Sequence, residues 1–125
     1  MKQSIQTDIA VINRILKYIK VMGEAFEQFN IKNSTDLEES HICQLAITQA
    51  ITNIYELNKK LQTETSVKLI LLSKLQYSLK AARNISSHDY YSLDFEIIYR
   101  LVCQLLKPEL SLELREVSHE LRNNN

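Results

Sequence analysis

An all-α fold is what this sequence predicts, on three observations. One glycine and one proline occur in 125 residues, whereas sheets and their tight turns consume both. Leu, Ile, Lys, Glu and Gln are abundant. Apolar residues return at steps of three and four, the spacing that gathers them on one face of a helix. The length suits one domain with one core, spanning residues 1–122, followed by a polar tail over 123–125 that is expected to fray. Four principal helices joined by short connections predict an up-down four-helix bundle, with a short fifth helix packed as a brace.

The elements follow in order. From about Ser4 to Phe29, a seam of Ile5, Ile9, Ile12, Ile15, Leu16, Ile19, Met22, Phe26 and Phe29 marks one long helix. Gly23 inside it reads as a close-packing position or a mild kink, since glycine costs only about 1 kcal/mol there relative to alanine. Asn30 to Ser34 break the period, and Thr35-Asp36-Leu37-Glu38 has the pattern of a capping box opening a second helix. Its stripe is Cys43, Ala46, Ile47, Ala50, Ile54, Leu57 and Leu61. Gln62 to Ser66 read as a polar connection, after which Leu72, Leu75, Leu79 and Ala82 form a third stripe with Lys80, Arg83 and Asn84 off it. Ser92-Leu93-Asp94 offers an N-cap for a fourth helix carrying Phe95, Ile98, Leu101, Val102 and Leu105 and ending before Pro108. Leu110, Leu114, Val117 and Leu121 make the fifth stripe.

Composition narrows the function classes. With 15 basic and 15 acidic residues the chain has no net charge, so no global field draws it to nucleic acid or an anionic membrane. Nucleic-acid binding would need a local basic patch or a dimer that builds one. Cys43 and Cys103 are too few and too far apart for a disulfide framework or a zinc site, and they read as small apolar residues of a reducing cytosol. The first eight residues lack a signal-peptide core and no apolar run reaches membrane-spanning length, so a cytoplasmic protein without a membrane segment is expected. His41 reads as a surface residue, and Arg115 with His119 as a solvated helical pair.

The chemistry concentrates in Arg83-Asn84-Ile85-Ser86-Ser87-His88-Asp89-Tyr90. Arginine can hold a phosphate through a planar fork of donors, histidine can move a proton near neutral pH, and tyrosine offers a modifiable hydroxyl. At about 100° per residue, Arg83 and His88 stand about 140° apart on an unbroken helix, while Arg83 and Tyr90 are nearly in register. Either the helix ends near Ser86, with Ser86 and Ser87 as its terminators, or two subunits supply the groups jointly. Such groups suffice for RNA cleavage: His88 as the general base on a ribose 2′-hydroxyl, Arg83 stabilising the charge on the phosphoryl oxygens. No carboxylate or His/Cys cluster stands at ligand spacing, so neither a metal nor another cofactor is expected. Chance alone gives Arg-x4-His about 0.1 times in such a composition, and roughly 0.006 times with the tyrosine two places on.

The pattern Arg83-Asn84-x3-His88-x-Tyr90 resembles the signature of HEPN-domain proteins, and in particular of the HepT-like toxins. The likeness extends to a long first helix, an acidic residue late in the second (Glu56), and the apolar helix with Leu106-Lys107-Pro108-Glu109-Leu110 after the motif. The chain departs from the family pattern in having Tyr55 before Glu56 and no tryptophan. The resemblance implies a metal-independent endoribonuclease toxin of a toxin–antitoxin pair, acting on RNA as a homodimer with two motifs facing each other across a cleft. Its antitoxin would be a nucleotidyltransferase that transfers AMP to the motif tyrosine. By position, Arg83 and His88 would then be catalytic, Asn84 supporting and Tyr90 the modified residue. The alternative is a non-catalytic helical dimer that binds a nucleotide or a nucleotidyltransferase through the same groups.

Overall fold

In the computed structural model the backbone is described for residues 2–88 and 94–123, and side chains for residues 4–62, 64–82 and 94–123. Those residues form seven α-helices and no strand: α1 (Lys2–Gln28), α2 (Ser34–Glu39), α3 (His41–Lys59), α4 (Thr63–Lys68), α5 (Ile70–His88), α6 (Phe95–Leu105) and α7 (Pro108–Asn123). The all-α expectation holds. Two short helices, α2 and α4, stand where the sequence predicts the start of a helix and a connection.

The seam of α1 is buried from Ile12 to Phe26, and Ile5, Ile9, Leu16 and Phe29 pack at its margin. The helix runs through Gly23 without a break, facing Leu106, whose Cδ2 would stand 3.4 Å from a Cβ at this position, an ordinary contact distance. Asn30 closes α1 at φ 57°. Ile31 N–H donates to Phe26 O at 2.8 Å and Asn30 N–H to Glu27 O at 3.2 Å, the paired bonds of a Schellman ending with asparagine in the left-handed position. Ile31 is thereby turned into the core.

The capping box opens two residues earlier than Thr35. Asn33, extended at φ −158° and ψ 176°, caps α2: its Oδ1 accepts from Asp36 N–H at 2.9 Å, while Asp36 Oδ2 accepts from Lys32 N–H at 2.9 Å. Asparagine caps at least as well as threonine, and this backbone suits the cap. The second predicted helix is also split at Ser40 (φ −111°, ψ 91°). Buried Gln44 spans that break, its Nε2 donating to Leu37 O at 2.9 Å and to Glu38 O at 2.6 Å, so the last carbonyls of α2 are satisfied by a side chain of α3.

The polar stretch after α3 folds into α4 because a partner distant in sequence holds it. Asp8, 2% exposed on α1, accepts from Gln62 N–H at 3.1 Å and from the Thr65 hydroxyl at 2.5 Å. Thr65 is itself only 3% exposed. Of Ser92-Leu93-Asp94, the stretch expected to supply a cap, Asp94 caps α6, accepting from Glu96 and Ile97 N–H at 3.0 and 3.3 Å. Pro108 opens α7, where its missing N–H costs nothing. Helix α7 reaches Asn123, whose Nδ2 lies 3.2 Å from His119 Nε2, so ordered helix extends one residue into the predicted tail.

Helix α1 packs against α3 and α7, α3 also against α5, and α2 against α6, with α5 touching α4, α6 and α7. Ile12, Ile15, Met22, Ile47, Leu72 and Leu114 are fully buried where these stripes meet. Phe26 and Tyr99 stack at 5.6 Å between centroids and 10° between planes, and the Tyr99 hydroxyl donates to Lys32 O at 2.8 Å. These contacts fasten α6 to the α1–α2 turn.

Candidate functional site

Three contacts fix the axial rotation of α5, and with it the placement of the motif. Its N-cap position is Leu69, which has no side-chain acceptor. Glu113 of α7 takes that role, accepting from Leu71 N–H at 3.1 and 3.0 Å through its two carboxylate oxygens and from Leu72 N–H at 3.4 Å. A carboxylate at a helix N-terminus satisfies orphan amides and complements the positive end of the helix dipole. Along the helix Leu72, Leu79 and Ala82 are buried. On the flank toward α3 the Gln76 Oε1 accepts from Asn58 Nδ2.

From this anchored segment α5 continues without a break through Arg83, Asn84 and His88. The helix therefore does not end at Ser86, and Ser86 and Ser87 are not its terminators. Of the two arrangements open in the sequence, a turn of the chain before His88 is removed. In backbone register Arg83 falls within about 20° of Gln76, seven residues earlier, and His88 within about 20° of Tyr77, eleven residues earlier. The two motif positions thus continue different lines of α5: one the flank toward α3, the other the line of Tyr77, which is 83% exposed. The expected modification residue Tyr90, with Asp89 and Tyr91, lies outside the described residues.

Glu56 sits late in α3 with a carboxylate oxygen 3.8 Å from Lys59 Nζ, and the same ammonium lies 5.1 Å from the Tyr55 ring centroid. Its neighbourhood is therefore cationic and aromatic. His41 is exposed at the start of α3, as expected. Cys43 is fully buried, and burial pushes its thiol above the ordinary range, which makes it unreactive. Cys103 is only half-buried and faces Tyr99: a side-chain hydrogen bond with Cys103, then burial, then the Cys103 and Asp36 charges hold the Tyr99 phenol above its usual value.

A groove of about 490 Å³ lies between α5 and the α6–α7 corner, with Lys74 and Ser78 on one side and Gln104, Lys107 and Glu109 on the other. A second, of about 610 Å³, runs along α1 beside α7 and mixes Lys17, Lys20 and Arg115 with Glu24 and Glu27. Sequence reasoning passed over Asp8, Tyr77 and Glu113. The first had a visible signal, a carboxylate on the apolar seam between Ile5 and Ile12. Tyr77 had one too, an aromatic off the buried stripe with a lysine three residues to either side.

No protein-family model, curated protein or solved structure gives a significant match to the chain. Among the described residues no helix is long and apolar enough to cross a membrane.

Proposed function

We propose that this protein is a metal-independent endoribonuclease of the HepT-like toxin type, with Arg83 and His88 as its catalytic pair. The observation that carries the reading is the Arg83-x4-His88-x-Tyr90 pattern of the sequence, with Arg83 and His88 on the terminal turns of one long helix in an all-α chain. In the reaction His88 takes the proton of a ribose 2′-hydroxyl and the 2′-oxygen attacks the adjacent phosphorus. The bond from phosphorus to the 5′-oxygen breaks, and that oxygen leaves with a proton returned from the imidazolium. The products are a 2′,3′-cyclic phosphate and a 5′-hydroxyl. Arg83 binds the phosphoryl oxygens as their charge grows, a task suited to a planar, permanently charged fork.

The working form is a homodimer of up-down four-helix domains. On an unbroken helix Arg83 and His88 stand about 140° apart, so one chain's pair does not share a face, whereas two copies bringing their motifs together supply both groups to one phosphate. A cognate nucleotidyltransferase silences the enzyme by transferring AMP from ATP to Tyr90. The added phosphate repels RNA and gives Arg83 an anion to hold.

The test is cleavage of a mixed RNA pool in EDTA by wild type and His88→Ala prepared side by side. Cleavage by wild type alone, with cyclic-phosphate ends, is the expected result. If neither protein cuts while mass spectrometry shows Tyr90 unmodified, the ribonuclease reading is refuted and the motif is a binding site.

A further inference from the structure

A neutral chain needs a local source of positive charge to hold RNA, and the stretch from Thr65 to His88 is where that charge has collected. Between Glu64 and Asp89 there is no acidic residue, while Lys68, Lys74, Lys80 and Arg83 all fall in that interval. That interval holds four of the fifteen basic residues and none of the fifteen acidic ones, Asp89 of the motif standing just beyond it. Lys68 pairs with Glu120 at 3.1 Å. Lys74 and Lys80 are exposed, and neither forms an ion pair among the described residues.

Between those two lysines stands Tyr77, three residues from each and, among the described residues, the most exposed of the large apolar side chains, at 83%. Three residues along a helix is one turn less about 60°, so the ring is flanked by an ammonium on each side. The groove beside it adds Lys107 opposite Lys74, with Ser78 and Gln104 as further polar groups and Glu109 on the same wall as Lys107. An exposed aromatic face bracketed by exposed cations is the arrangement that binds single-stranded nucleic acid: the ring stacks a base of any identity, and the ammonium groups follow the phosphates. A duplex offers no free base face, so the strand must be single.

We infer that the outer face of α5 is a binding track for single-stranded RNA, with a base stacked on Tyr77 and the flanking phosphates held by Lys74, Lys80 and Lys107. The track rests on the ribonuclease reading for its purpose, because its line leads to His88, eleven residues and about 16 Å farther along the helix. It would deliver the strand to the motif and set a preference for unpaired regions.

The test separates binding from cleavage by using a short single-stranded RNA whose 2′-hydroxyls are all O-methylated, which can bind but offers no nucleophile. Its affinity is measured by fluorescence anisotropy across a salt series for wild type, Tyr77→Ala, Tyr77→Phe and the double variant Lys74→Gln/Lys80→Gln. Loss of one stacked base makes Tyr77→Ala about tenfold weaker, and Tyr77→Phe, which keeps the ring, stays within about twofold. Removing two phosphate contacts lowers the slope of log K against log salt by about 1.4. Wild type that fails to bind, or Tyr77→Ala that binds as tightly as wild type, overturns the track. A Tyr77→Ala protein that becomes smaller by light scattering with unchanged RNA affinity also overturns it, and makes Tyr77 a contact between copies. Binding that depends on Tyr77 in a protein that never cuts RNA with free 2′-hydroxyls supports the track while removing the ribonuclease reading.

Discussion

Asp8→Ala is the substitution whose consequence can be worked furthest. It removes the acceptor of two donors: the Gln62 backbone N–H at 3.1 Å and the Thr65 hydroxyl at 2.5 Å. Gln62 is exposed, so water replaces that bond and the loss is about 0.5 kcal/mol. Thr65 is 3% exposed, and a buried hydroxyl left without a partner costs about 1–3 kcal/mol. Alanine returns about 0.5 kcal/mol of helix propensity, leaving about 2 kcal/mol. At about 2.1 cal/mol/K of unfolding entropy per residue, this chain loses roughly 8 °C in Tm.

Thr65→Val supplies the sharper comparison. It strands the Asp8 carboxylate, 2% exposed, with one donor fewer, and an under-satisfied buried charge costs more than an under-satisfied hydroxyl. Thr65→Val is therefore expected to melt below Asp8→Ala. The double variant Asp8→Ala/Thr65→Val, which removes both partners, is expected to melt above Thr65→Val alone, with a coupling of about 1–3 kcal/mol. Thermal melts followed by circular dichroism and urea midpoints on the four proteins complete the cycle. Additive losses, or Asp8→Ala within about 0.5 kcal/mol of wild type, would refute the account of Asp8 as the group that holds α4 to α1.

Three further outcomes are expected. Glu113→Ala leaves the first amides of α5 to water and destabilises the fold by about 1–2 kcal/mol, while RNA cleavage below the transition is unchanged; a lost rate without lost stability would show that Glu113 acts at the motif. Tyr99 and Cys43 both ionise later in the folded chain than their ordinary values of 10.0 and 9.0, so the unfolded chain releases protons first and stability declines as pH rises through and above those values. Urea midpoints over that range should fall, and Tyr99→Phe should flatten the upper part of the decline at a cost of about 1 kcal/mol for the bond to Lys32; an unchanged slope would remove Tyr99 as its source. Arg83→Lys should lose most RNA cleavage, because a point charge does not replace a bidentate fork, and a retained rate in a single-turnover assay counts against phosphate clamping by Arg83.

The all-helical class and most of the buried positions were legible because they depend on short-range pattern. A stripe such as Ile98, Leu101, Val102 and Leu105 needs only one turn of neighbours to declare its face, and all four are buried. The Asp94 cap is equally local. The α2 boundary is the instructive miss: Asn33 and Thr35 are both competent caps two residues apart, and the extended backbone of Asn33, set by the ending of α1 at Asn30, decided between them. For the candidate site, the residue types of the motif could be read directly, together with the about 140° separation of Arg83 and His88. That the helix stays intact through His88 could not, since Ser86 and Ser87 are compatible with either course.

By itself, then, the sequence determined the helical class, the long first helix, the neighbourhood of the local caps and the chemistry available in the motif. Tertiary structure decided which polar groups would be buried and with whom. Asp8 meets Thr65 across 57 positions, and Glu113 meets Leu71 across 42. The physical reason is the range of the interactions. Periodicity and capping are settled within a turn or two of chain, whereas a carboxylate that caps another helix gains its partners only when packing has brought two distant segments together, and nothing in its neighbours announces the meeting.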